Sequence, residues 1–112
     1  MVATRAAIRR GDVFLVALDP TLGREIKKTR PCVVLSPDEL NQHLRTVIVA
    51  PMTTGGHPYP FRIACRFQKR DGFVVLDQVR AVDAHRLVHK LGRLSPQTMA
   101  GSLSVLQEMF TE

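Results

Sequence analysis

Apolar residues along this chain come in short blocks separated by turn-forming and charged residues. Residues 13–18 (Val-Phe-Leu-Val-Ala-Leu) form an unbroken apolar run behind Gly11-Asp12, which predicts a buried strand. Asp19-Pro20-Thr21-Leu22-Gly23 is turn chemistry, and residues 24–29 continue it as a charged loop. A second strand begins at Arg30-Pro31 and runs to Leu35, because the residue before proline is held extended. Ser36-Pro37-Asp38-Glu39 predicts a short helix, with Ser36 as cap, Pro37 in the first turn and Glu39 completing a capping box. Residues 46–50 predict a third strand that ends at Pro51-Met52-Thr53-Thr54, and residues 61–65 a fourth. Asp71-Gly72 signals a hairpin, followed by a fifth strand over residues 73–82. Asp83 caps a single turn, and residues 89–94 make a short sixth strand. Ser95-Pro96 opens the longest helix, whose Met99, Leu103, Leu106 and Phe110 fall on one apolar stripe.

Many short strands, one turn-length helix and a terminal helix predict a mainly β (α+β) fold. Its form is a small, partly closed β-barrel with a short helix after strand 2 and a C-terminal helix. The 112 residues amount to one domain, read as a flexible segment over residues 1–10 and a single folded unit over 11–112. A two-domain enzyme is excluded, and no apolar run approaches the ~20 residues of a membrane-spanning helix. No internal repeat or apolar leader is visible, and two cysteines without metal-type spacing suit reduced thiols in the cytoplasm.

Charge changes the picture. Sixteen Lys and Arg against ten Asp and Glu give +6, and twelve of the sixteen are Arg, the side chain that grips phosphate bidentately. A small, Arg-rich basic domain points towards nucleic acid. No phosphate-binding glycine loop or nucleophile elbow is present, and His85 and His89 have no carboxylate or cysteine cluster to complete a metal site.

Three positions stand out chemically. Arg30 opens a strand after a charged loop, a rigid base for a phosphate-binding guanidinium and equally for a surface ion pair. Thr53 ends a strand, where its hydroxyl can serve chemistry or its own turn. Asp77 falls, in the extended reading, on an apolar strand face with Val75, Val79 and Ala81. There it demands a cation, backbone donors or a substrate.

Taken in order, three blocks resemble the MazF/PemK (Kid) family of toxin ribonucleases. The first is Gly11-Asp12-Val13, then Asp19-Pro20-Thr21-Leu22-Gly23-Arg24-Glu25, then Thr29-Arg30-Pro31-Cys32-Val33-Val34. The second is Val49-Ala50-Pro51-Met52-Thr53-Thr54 with Tyr59-Pro60-Phe61, and the third is Leu76-Asp77-Gln78-Val79-Arg80. The resemblance implies an SH3-like barrel of the MazF/Kid/CcdB kind that works as a homodimer. It implies cleavage of single-stranded RNA at short sequences without metal or other cofactor. The ribose 2′-hydroxyl attacks the adjacent phosphate, leaving a 2′,3′-cyclic phosphate and a 5′-hydroxyl. Carried over residue by residue, it makes Arg30, Thr53 and Glu25 catalytic. It matches the family's acidic residue before glutamine to Asp77, and Arg24, Lys28, Thr54, Asp77 and Gln78 are the expected substrate-binding residues. A cognate acidic, MazE-like antitoxin lying over the RNA groove is the implied partner, with no membrane.

The chain departs from the family pattern at Ile26, where the loop glutamine belongs. It departs again at Val75 and Arg24, where PemK-type members carry arginine and histidine. Two other functions fit the same frame. A CcdB-like, protein-binding topoisomerase poison shares the fold without the Arg/Thr pair. A non-catalytic RNA-binding module would need base-stacking side chains, and the chain has one Tyr and no Trp.

Overall fold

The apolar run in the first strand is continuous because both faces of that strand are covered. In the computed structural model, which describes residues 8–112, β1 (Asp12–Ala17) pairs antiparallel with β2 (Thr29–Val34) and β7 (Leu87–Arg93). Alternation sends Phe14 and Val16 to one side, into a core with Cys32, Val34 and Val49. Val13 goes to the other side, with Val33, Ala50, Met52 and Val74, under the terminal helix. The remaining elements are α1 (Asp38–His43), β3 (Thr46–Thr54), β4 (Arg62–Phe67), β5 (Arg70–Val75), β6 (Arg80–Asp83) and α2 (Pro96–Met109). Two 3₁₀ turns, Leu76–Gln78 and Ala84–Arg86, flank β6. The strand order is β4-β5-β3-β2-β1-β7, with β6 also on β3, so the sheet curls round its cores without closing into a barrel.

β3 organises the sheet by changing partners. Residues 46–49 pair with β6, 49–51 with β2, and 52–54 with β5. Two prolines sit at the changes. The Leu35 amide donates to the Ile48 carbonyl (2.8 Å), so alternate residues Val33 and Pro31 are those of β2 that face β3. Pro31 has no N–H, and the ladder stops at Cys32–Pro51. Pro51 faces the other way, into the gap between β6 and β5 that the Leu76–Gln78 turn fills, where no ladder donor is required.

Several expectations are corrected. Residues 1–7 lie outside the described residues, but 8–10 are not a frayed segment. Ile8 is fully buried, and the Arg9 amide donates to the buried Asp12 carboxylate (3.0 Å), which also pairs with Arg93 and Lys90. The Arg10 guanidinium donates to the Leu35 carbonyl (2.8 Å). Ser36 does not cap α1: its hydroxyl accepts from the Ile48 amide (3.0 Å) and bonds the buried Asn41, tying the helix to β3. The β4–β5 hairpin turns at Gln68-Lys69, both at positive φ, not at Asp71-Gly72. The fifth strand breaks at the Leu76–Gln78 turn. In α2, capped by Ser95 as expected, Met99 is buried and Leu106 partly so, but Phe110 is 76% exposed and Val105 and Met109 pack instead.

Pro31→Ala tests the ladder stop directly. Residue 31 then gains an amide facing Met52, and hydrogen exchange should find it protected by at least about tenfold over a free loop amide. An unprotected amide at that position would contradict the account.

Candidate active site

The stopped ladder leaves an opening between the start of β2 and the end of β3. Arg30, near the start of β2, and Thr53, near the end of β3, both lie beyond the last paired residues Cys32 and Pro51. A cleft of about 450 Å³ opens there, lined by Arg30, Pro31, Met52, Thr53, Thr54 and, from the β4–β5 hairpin, Cys65, Phe67, Gln68 and Arg70. The Arg30 guanidinium makes one long contact, to the Lys27 carbonyl (3.3 Å), and is paired with no carboxylate among the described residues. Among the described residues the Thr53 hydroxyl reaches the Gly55 carbonyl alone, at 3.5 Å. A cation and a hydroxyl so weakly engaged are free to meet an anion.

Glu25, Asp77 and Gln78 line a second cleft of about 220 Å³, with Leu18, Ile26, Pro51, Val79 and Arg80. The expected site residues are therefore brought to two clefts, not one. Thr54 stands with Arg30 and Thr53, while Arg24 and Lys28 are exposed on the β1–β2 loop and line neither. The Glu25 carboxylate accepts from the Leu22 amide and closes its own turn. Pro51 joins the clefts, since alternation along β3 places it on the same face as Thr53.

Asp77 is not buried on a strand face. It sits in the 3₁₀ turn, where Arg62 grips it through Nε–Oδ1 (3.1 Å) and Nη2–Oδ2 (3.2 Å), and the same guanidinium lies 5.0 Å from the Tyr59 ring centroid. That hydrogen-bonded partnership holds the Arg62 pKa above its ordinary value. Arg62 and Tyr59 are site neighbours that the sequence reading missed. Gln78 accepts from the Ile26 amide (2.7 Å), and the Ile26 side chain packs on the first core. The residue in place of the loop glutamine thus anchors the loop by its backbone and its apolar side chain.

One glycine fixes Thr53. β5 passes so close to β3 that a Cβ on Gly72 would stand 1.7 Å from the Thr53 carbonyl oxygen. The two cysteines differ. Burial pushes the Cys32 thiol up to about 12 despite Arg80 nearby, while Cys65, half-buried in the larger cleft, is raised by burial and by Asp71. Among the described residues no three His, Cys, Asp or Glu side chains cluster as metal ligands. No described helix is long and apolar enough to cross a membrane.

A family model described as "PemK-like, MazF-like toxin of type II toxin-antitoxin system" matches residues 9–110. The chain belongs to the PemK/MazF toxin family. It is similar to "Endoribonuclease MazF" of Staphylococcus epidermidis, 37% identical over 98 residues and 82% of each chain. To "Endoribonuclease toxin MazF" of Escherichia coli K12 it is 37% identical over 90 residues, covering 80% of this chain and 81% of the relative. Its fold matches that of MazF from Deinococcus radiodurans with a TM-score of 0.81 at 22% identity, over 97% of this chain and 96% of that one. It also matches a mycobacterial endoribonuclease solved with its cognate antitoxin, with a TM-score of 0.76 at 23% identity over 91% and 93%.

Two measurements follow from the site. Gly72→Ala must push β5 off the Thr53 carbonyl, costing roughly 1–3 kcal/mol in denaturant unfolding and raising amide exchange in β5 beside Thr53; an unchanged midpoint would contradict the close approach. Iodoacetamide at pH 8 should label Cys65 and spare Cys32 in the folded protein, read by peptide mass. Equal labelling of both would contradict the burial difference.

Proposed function

We propose that this toxin is a sequence-specific endoribonuclease that cuts single-stranded RNA, messenger RNA among it, without a metal ion and so stops translation and growth. The observation that carries the reading is that Arg30 and Thr53 line one open cleft, both nearly unengaged, in a chain of this family. The 2′-hydroxyl attacks the adjacent phosphorus, the P–O5′ bond breaks, and O5′ takes up a proton from solvent water. Arg30 balances the charge of the pentacoordinate phosphate, and Thr53 donates to a non-bridging oxygen. Glu25, on the adjoining cleft, is the carboxylate that takes the 2′ proton. The products are a 2′,3′-cyclic phosphate and a 5′-hydroxyl.

Base recognition falls to the second cleft. Gln78 keeps its amide NH₂ for a base edge while its oxygen holds Ile26, and Asp77 with Arg62 offers a planar charged pair on the rim. Thr54 lies beside the reaction centre, and Arg24 and Lys28 carry loop charge towards the RNA backbone. The partner is an acidic antitoxin laid over this basic groove in the cytoplasm, as relatives have been solved with antitoxins. The working form is a homodimer. A CcdB-like topoisomerase poison has no use for the Arg30–Thr53 pair, and the family match favours the nuclease.

The test is incubation of purified protein with a transcriptome-wide RNA pool in excess EDTA. Discrete cuts are expected, with Arg30→Ala slower by about 10²–10³ and Thr53→Ala slower by about tenfold or more. An intact pool, or full activity in a folded Arg30→Ala variant, would contradict the assignment.

A further inference from the structure

The β4–β5 hairpin contributes to the larger cleft a second guanidinium that the proposed chemistry does not use. Arg70 lines it together with Arg30, and neither is paired with a carboxylate among the described residues. Its neighbours are committed otherwise. Asp71 is taken by Arg66 (3.0 Å), and Asp77 by Arg62. Uncompensated positive charge on a concave surface draws an anion.

The arm that presents Arg70 is rigid. Gln68 and Lys69, at φ 51° and 65°, form a tight two-residue turn, so that Arg70 pairs across the strands with Phe67. The Gln68 amide donates to the Leu91 carbonyl (3.3 Å), and Phe67 lies against Gly92, where an added Cβ would come within 3.3 Å of its ring. Two contacts thus pin the hairpin tip to β7. A guanidinium held on such a base loses less freedom on binding than one on a loose loop.

Register says which phosphate it reaches. Thr53 pairs with Phe73, three residues along β5 from Arg70, which is roughly 10 Å at 3.3 Å per residue. Arg70 also shares a sheet face with Cys65 and Phe67, across the sheet from the face of Thr53. Arg70 thus starts from a different place along the strand and from the opposite face, which favours a phosphate other than the one that Thr53 touches.

We propose that Arg70 is a second phosphate-binding residue, which holds the RNA backbone at the phosphate next to the scissile one. The apolar stretch between the two guanidiniums, from Pro31, Met52, Cys65 and Phe67, receives the nucleotide between them. The site then binds an extended strand through two adjacent phosphates, with chemistry at one and grip at the other. This inference rests on the ribonuclease reading above.

The experiment uses an oligoribonucleotide carrying a cut site mapped with the wild-type protein, with a 2′-deoxy sugar at the scissile nucleotide so that it binds without reacting. Arg70→Ala should weaken binding about tenfold near 0.15 M salt, and the slope of log K against log salt should flatten by about 0.7, one single-strand phosphate contact. Arg70→Lys, which keeps the charge, should keep the slope. With cleavable RNA, KM for Arg70→Ala should rise about tenfold while kcat falls less than about threefold. Single methylphosphonates scanned along the strand should weaken wild-type binding at the neighbouring phosphate and have no further effect there on Arg70→Ala. Unchanged affinity and slope would overturn the proposal. So would a loss confined to kcat, which would put Arg70 on the scissile phosphate. Wild-type protein that neither cuts nor binds RNA would instead overturn the ribonuclease reading itself.

Discussion

Pro31 has no N–H to give Met52, so the β2–β3 ladder ends at Cys32–Pro51 and the cleft that holds Arg30 and Thr53 opens at the gap. Had the ladder continued, Arg30 and Thr53 would be ordinary cross-strand neighbours on a sealed sheet. Where it stops, β3 keeps β5 on its other edge, and the start of β2 and the end of β3 line one cleft. Gly72 completes the arrangement, since only a residue without Cβ lets β5 take the Thr53 backbone so closely. The site is thus built on strands, and its side chains inherit the precision of backbone pairing.

The charges sort by the same logic. Much of the arginine excess is structural: Arg93 meets the buried Asp12, Arg62 grips Asp77, Arg66 pairs with Asp71, and Arg86 donates to the carbonyls of Ala17 and Asp19. Among the described residues neither Arg30 nor Arg70 is paired with a carboxylate, and both line one cleft. A net charge of +6 therefore describes less of the function than the places where positive charge has no local partner.

Much of this was legible in the sequence, and the failures share a cause. Strand cores, the Ser95 cap and the Asp83 turn follow from local chemistry, and the order of the Arg30 and Thr53 blocks carried the family. The hairpin turn was misplaced because Gln68-Lys69 lacks the usual Asn-Gly signature, while Asp71-Gly72 has it for another reason. Gly72 is a glycine to clear Thr53, not to turn the chain. Val75 and Val79 keep period two and place Asp77 on a strand, yet a 3₁₀ turn fills the gap beside Pro51 there. Its partner Arg62 is fifteen residues away in sequence, and tertiary pairing of that kind has no local signal. Arg70 has no local signal for the same reason, since its neighbour Asp71 is bound by Arg66.

The central claim is that the RNA supplies its own nucleophile while Arg30 and Thr53 steady the phosphate. Its most direct test is the chemistry of the cut ends, read by mass on two otherwise identical oligoribonucleotides in EDTA, one with a single 2′-deoxy sugar at the scissile nucleotide. The account predicts a 2′,3′-cyclic phosphate and a 5′-hydroxyl from the all-ribose strand and no cleavage of the other. A 5′-phosphate with a 3′-hydroxyl, or cleavage at the 2′-deoxy position, would make water the nucleophile and contradict it.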